Sequence, residues 1–71
     1  MKYAVGDKVK IKNNLILDKE YSMNDEKFKH VVVDEMLEFQ EEEAIITLAE
    51  TFGYEIDIDE GAWRWTDQMF E

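Results

Sequence analysis

The chain contains no cysteine and no proline, and only three glycines, one histidine, one serine and one arginine. Without cysteine it can form neither a disulfide nor a Cys-ligated zinc site, so nothing covalent staples it. That absence also suits a reducing compartment. No apolar run approaches the length of a membrane span, and residues 1–7 lack the apolar region of a signal peptide. These absences predict a soluble, cytoplasmic protein. Internal repeats and low-complexity tracts are also lacking. With 71 residues the chain makes one domain at most, with a thin core. Two Trp, three Tyr, four Phe and a hydrophobic content of 45% argue against disorder.

What is present in excess is negative charge: 18 acidic against 8 basic residues, net −10. The charge is graded along the chain. Residues 1–12 carry +3, residues 13–29 carry −1, and residues 30–71 carry −12. A surface this acidic repels nucleic acid and membranes and attracts basic protein patches. Its plainest effect is to keep a small protein soluble and monomeric.

Lys8-Val9-Lys10-Ile11-Lys12 alternates as a first strand with Val9 and Ile11 inward, after a turn at Gly6-Asp7. Leu15-Ile16-Leu17 extends a strand or pins a loop, and residues 18–24 read as an irregular connection anchored by Tyr21 and Met23. Ser22 or Asn24 is placed to cap a helix within 25–39, where Phe28, Val32, Met36 and Phe39 recur at helical spacing. The β-branched run Val31-Val32-Val33 opposes it. After the polar break Gln40-Glu41-Glu42-Glu43, Ala44–Ala49 reads as a strand. Asp67–Phe70 reads as a terminal helical turn, capped by Thr66 or Asp67, that tucks Met69 and Phe70 over the sheet.

The most ordered pattern is Tyr54 to Thr66, which alternates about Glu60-Gly61. Folded there, Ile58 faces Trp63, Ile56 faces Trp65 and Asp57 meets Arg64. Glu55, Asp57 and Asp59 would then stand in a row outside. The expected core is Val9, Ile11, Ile46, Leu48, Ile56, Ile58, Trp63 and Trp65. The fold class is mostly β: about five short antiparallel strands closed into a small barrel with one inserted helix. The rival is an open sheet crossed by a helix.

Two stretches, Tyr3–Lys12 and Gly61–Glu71, resemble the ends of small SH3-like β-barrel proteins encoded by phages and prophages of Gram-positive bacteria. The middle, Glu35–Phe39 followed by Ala44–Thr47, also fits that family's helix, turn and strand. The resemblance covers essentially the whole chain and implies a single SH3-like domain at 1–71, of phage origin. It implies no activity, since most members have none assigned. Two departures stand out. The turn Gln40–Glu43 has no glycine, and acids replace lysines that the family often carries on the helix and turn.

No catalytic set emerges. His30 with Asp34, one helical turn away, would make a base, but no nucleophile accompanies it, and a surface histidine is the simpler account. Asp57-x-Asp59-Glu60-Gly61 hints at a calcium loop, but its glycine falls one place early and a strand follows. No metal or other cofactor is expected. Trp63 and Trp65 share a face and would suit a peptide platform if exposed, but in so small a chain they are core. Lys8, Lys10 and Lys12 form a basic edge too slight to bind nucleic acid against the total field.

The sharpest expectation is nucleic-acid mimicry. Side chains on one face of a strand repeat every ~6.6 Å, comparable to the phosphate step. The acids Asp34, Glu35, Glu38, Glu41, Glu42 and Glu43, with Glu55, Asp57, Asp59 and Glu60, would then fill the basic groove of a host protein. A CRISPR effector or a restriction enzyme is the natural target class for a phage product. The alternative is an SH3-like peptide-binding adaptor or structural module of a phage.

Overall fold

The computed structural model describes residues 2–71. Five short strands lie at Lys8–Lys10 (β1), Glu20–Ser22 (β2), Lys29–Val31 (β3), Glu43–Glu50 (β4) and Gly53–Ile56 (β5), all antiparallel. They form two separate sheets, β1-β4-β5 and the hairpin β2-β3, so the closed barrel expected from the sequence is not formed among the described residues. Two 3-10 helices, Asp34–Phe39 and Asp67–Met69, complete the architecture.

The alternation in β1 and early β4 does what its period demands. Val9, Ala44 and Ile46 point inward, while Lys8, Lys10, Glu43 and Ile45 face out. The phase then changes. Ile46 pairs with Ile56 but Leu48 pairs with Glu55, so Thr47 is an extra residue in β4. This bulge turns Leu48 out of the core and brings Ala49 against it instead. Leu48 is therefore not the core residue that unbroken alternation predicts.

The helix expected over 25–39 forms only from Asp34, and as a 3-10 turn. Its first half is the turn and second strand of the β2-β3 hairpin, where Tyr21 faces His30 and Ser22 faces Lys29. The three β-branched valines prevail over the helical spacing. Neither Ser22 nor Asn24 caps a helix: Ser22 lies in β2 and Asn24 in the hairpin turn. Tyr21 and Met23 are anchors as expected, both buried. Where the Gln40–Glu43 turn lacks glycine, Glu41 itself adopts a left-handed φ of 71°.

Of the predicted hairpin about Glu60-Gly61 one isolated bridge forms, in a shifted register. Tyr54, not Ile56, pairs with Trp65, through hydrogen bonds of 2.8 and 2.9 Å. The shift is two residues, so each side chain keeps its face: Ile56 and Trp65 are still fully buried. Ile58 and Trp63 pack against the core but are only partly buried.

Beyond Trp65 the chain crosses from the β5 edge to the β1 edge. Phe70 bridges Ile11, flanked by bonds from Lys12 N to Met69 O (3.0 Å) and from Glu71 N to Lys10 O (2.8 Å). The turn 67–69 seats Met69 and Phe70 in the core as expected, though Thr66 makes no side-chain cap. Aromatic rings converge there. Phe70 lies 5.5 Å from Tyr3, 5.9 Å from Tyr54 and 6.3 Å from Trp65, centroid to centroid.

One buried carboxylate ties the two sheets together. Asp67 Oδ1 accepts the Tyr54 hydroxyl at 2.6 Å, and Oδ2 accepts the backbone N–H of Asn24 at 2.8 Å. Burial, then the hydrogen bond to Asp67, pushes the Tyr54 phenol up to about 12. Below the unfolded value of 10 both states hold this proton. Between there and about 12 only the folded state does, so stability falls as pH rises through that window. The loss should approach about 3 kcal/mol, measured as urea midpoints across the window, and Tyr54→Phe should flatten it. At neutral pH the same variant should cost about 1–3 kcal/mol, because Asp67 loses a donor.

A second expected outcome concerns Gly53, whose φ is +151°. A Cβ there would fall 2.5 Å from Arg64 Cγ and 3.0 Å from the Trp65 carbonyl oxygen. Gly53→Ala should lower stability by about 1–3 kcal/mol in the same urea assay.

Candidate functional site

Ten acids are expected to form the contact surface. Eight are exposed: Asp34, Glu35, Glu38, Glu41, Glu42, Glu43, Asp57 and Glu60. The first six come from one stretch, the 3-10 helix and the turn that leads into β4, with no basic residue among them. The loop after β5 joins them. Asp57 N donates to the Ile45 carbonyl (3.1 Å), and Ile45 N donates to Asp57 Oδ1 (2.9 Å). Asp57 thus lies beside β4, two residues along from Glu43. The loop after β5 and the start of β4, distant in sequence, are thus joined at Asp57 and Ile45.

The expected row Glu55, Asp57, Asp59 does not form. Asp59 is buried, only 8% exposed. Its Oδ1 accepts the N–H of Gly61 (2.9 Å), and its Oδ2 accepts the N–H of Trp63 (3.3 Å) and the indole N–H of Trp65 (2.8 Å). An aspartate that captures nearby amides competes with the strand ladder. This curls residues 57–61 into turns and sets the two-residue shift. Glu60 (φ 56°) and Gly61 (φ 76°) supply the left-handed backbone for it. Glu55 is half-buried and pairs with Arg64 at 3.2 Å. Arg64 therefore meets Glu55, not Asp57, as the shifted register requires.

Two more of the exposed acids are partly engaged. Glu43 pairs with Lys8 at 3.4 Å, and Glu41 accepts the side-chain amide of Asn13 at 2.9 Å. The pair is solvent-exposed and weak in stability terms. It does mark where the acidic surface stops, at the exposed lysines of β1.

The other constellations are not assembled. His30 lies in β3, and its Nε2 contacts the carbonyl of Phe52 at 2.6 Å. A carbonyl only accepts, so that nitrogen carries a proton here. No helical turn connects His30 to Asp34. The calcium-like run loses Asp59 to its internal amide bonds. Trp65 is fully buried and Trp63 half-buried, so no tryptophan platform is displayed. The aromatics that do reach the surface are Phe28 and Phe52, packed edge to face at 6.5 Å. Arg64 lies over the Phe52 ring at 4.7 Å. Among the described residues no helix is long and apolar enough to cross a membrane.

Comparison with known protein families, curated proteins and solved structures finds no match for this chain.

The internal role of Asp59 has a direct consequence. Asp59→Ala should cost about 2–4 kcal/mol by urea denaturation, since it strands buried donors. Asp59→Asn should fall between that and wild type. Glu60→Gln, one residue on and exposed, should stay within about 0.5 kcal/mol.

Proposed function

We propose that this chain is a non-enzymatic acidic protein that binds a host protein and occupies its nucleic-acid groove. The observation that carries this reading is the seam at Ile45 and Asp57, which sets Asp57 beside the start of β4, two residues from Glu43, where the acidic stretch 34–43 ends. Carboxylates on rigid backbone compete with phosphates for the same lysines and arginines. Binding of this kind draws on counterion release, as nucleic acid itself does. The contact set is Asp34, Glu35, Glu38, Glu41, Glu42, Glu43, Asp57 and Glu60, with Glu55 at its margin. Asp59 holds the loop in shape from within.

The phage setting and the cytoplasm of an infected or lysogenic host follow from the resemblance of the two ends to phage SH3-like proteins. They make a CRISPR effector or a restriction enzyme the fitting target class. The crossing of residues 65–70 from the β5 edge to the β1 edge, with a 3-10 turn between, supports a reduced SH3-like arrangement. Burial of Trp65 and the partial cover over Trp63 weigh against the adaptor alternative, which needs those rings in the open.

The test is capture from host lysate at two ionic strengths. Capture should weaken by at least about tenfold between about 50 and 200 mM salt. Replacing Glu38, Glu42 and Glu60 together by lysine should abolish it while the urea midpoint stays near wild type. Salt-independent capture, or capture that survives the triple reversal, would remove the electrostatic mechanism.

A further inference from the structure

A cavity of about 230 Å³ opens between the β2-β3 turn and the β4-β5 turn, lined by Met23, Asn24, Asp25, Thr51 and Asp67. Its buried acid is Asp67, only 4% exposed. Each Asp67 oxygen accepts one hydrogen bond, Oδ1 from Tyr54 and Oδ2 from Asn24. Both oxygens are thus partnered, and a carboxylate can accept about four hydrogen bonds in all, so Asp67 has the capacity to take a further donor. Hydrogen bonds do not neutralise it. The ion pairs among the described residues are Lys8 with Glu43 and Arg64 with Glu55, and neither reaches Asp67. A donor that is itself a cation would add a charge-assisted hydrogen bond to this carboxylate, stronger than a neutral one.

The rest of the lining suits the same guest. Met23 is buried and gives an apolar wall. Asp25 stands exposed at the rim, and its Oδ1 accepts the N–H of Lys27 at 3.0 Å. The volume is several times the ~30 Å³ share of one water, yet below the ~300–1,000 Å³ of a drug-sized pocket. That is room for one alkyl chain with a charged head. A net charge of −10 disfavours an anionic occupant.

The geometry points to a receptor for one basic side chain of a protein partner, with Asp67 meeting the cationic head inside and Asp25 meeting it at the rim. This rests on the reading of the chain as an acidic module, since the partner's basic surface supplies the side chain. The cavity adds what a charged exterior lacks: a fixed point that sets register on the partner.

The probe is n-butylguanidinium, with uncharged n-butylurea as its control, titrated into nitrogen-labelled protein and followed by amide chemical shifts. Saturable shifts at Asn24, Asp25 and Thr51 are expected with the cation and not with the urea. The Tyr54 phenol should also ionise earlier when the cation is bound. Asp67→Asn removes the acceptor of Tyr54 and can unfold the chain, so two exposed positions carry the variant test. Asp25→Asn should weaken binding by about threefold to tenfold, and Thr51→Trp, which fills the mouth, should abolish it. Non-saturating shifts spread over all the exposed acids, an equal response to the urea, or wild-type binding by both variants would overturn the assignment. The two proposals fail separately. Loss of salt-sensitive capture with this titration intact sinks groove mimicry alone. A silent titration with capture intact sinks the cavity alone.

Discussion

The fold depends on a single carboxylate. Asp67 sits on the last turn of the chain and reaches two elements that no strand ladder connects: the β2-β3 turn, through Asn24 N, and β5, through the Tyr54 hydroxyl. Tyr54 in turn accepts the N–H of Tyr3 at 3.3 Å and packs on the Phe70 ring. Remove Asp67 and the hairpin keeps the buried side chains Tyr21, Met23 and Val32, but its remaining polar ties to the rest are lighter, such as Ser22 N to Gln68 Oε1 and the contact of His30 with Phe52 O. In a protein of 71 residues without disulfides, one such junction is a large share of what orders the molecule.

The sequence was legible where period and burial agree. Val9 and Ile11, Ala44 and Ile46, and Met69 and Phe70 all lie where their spacing puts them. It was misleading where a local competitor acts. The spacing of Phe28, Val32, Met36 and Phe39 imitates a helix, but Val31-Val32-Val33 favours extended backbone, and a hairpin pairs it. The bulge at Thr47 carries no signal in composition, so Leu48 was bound to be misplaced. Asp59 was the costliest ambiguity. Alternation makes it one more outward acid, yet Asp59-Glu60-Gly61 is also the pattern of an aspartate-centred turn, and that chemistry prevailed. For the acidic surface, composition shows the excess of charge, but only the fold brings Asp57 beside Ile45. The importance of Asp67 has no signature in one sequence, because a Thr-Asp pair before an apolar turn reads as an ordinary cap.

The acids thus divide by task. Asp59 and Asp67 are turned inward and define backbone, and Glu55 is held by Arg64 beneath the rim of Gly61. Those of 34–43, with Asp57 and Glu60, remain on the outside, where their mutual repulsion is tolerated only because water screens it. A core built partly on anions and a surface built almost wholly on them leave little room for a further buried negative charge. They leave the molecule receptive to cations on every scale, from counterions to a partner's side chains.

The closing segment also governs how the molecule can be made. Trp65, Met69 and Phe70 cover strand margins first laid down more than fifty residues earlier at Ile11 and about ten residues earlier at Tyr54. Contacts so far apart along the chain are slow to form. A nascent polypeptide paused upstream of Trp65 would present two bare strand margins and a half-built interior. Such an intermediate invites capture by a chaperone or by another copy of itself. Assembly of the sheet therefore waits on residues 65–70, which close both of its margins.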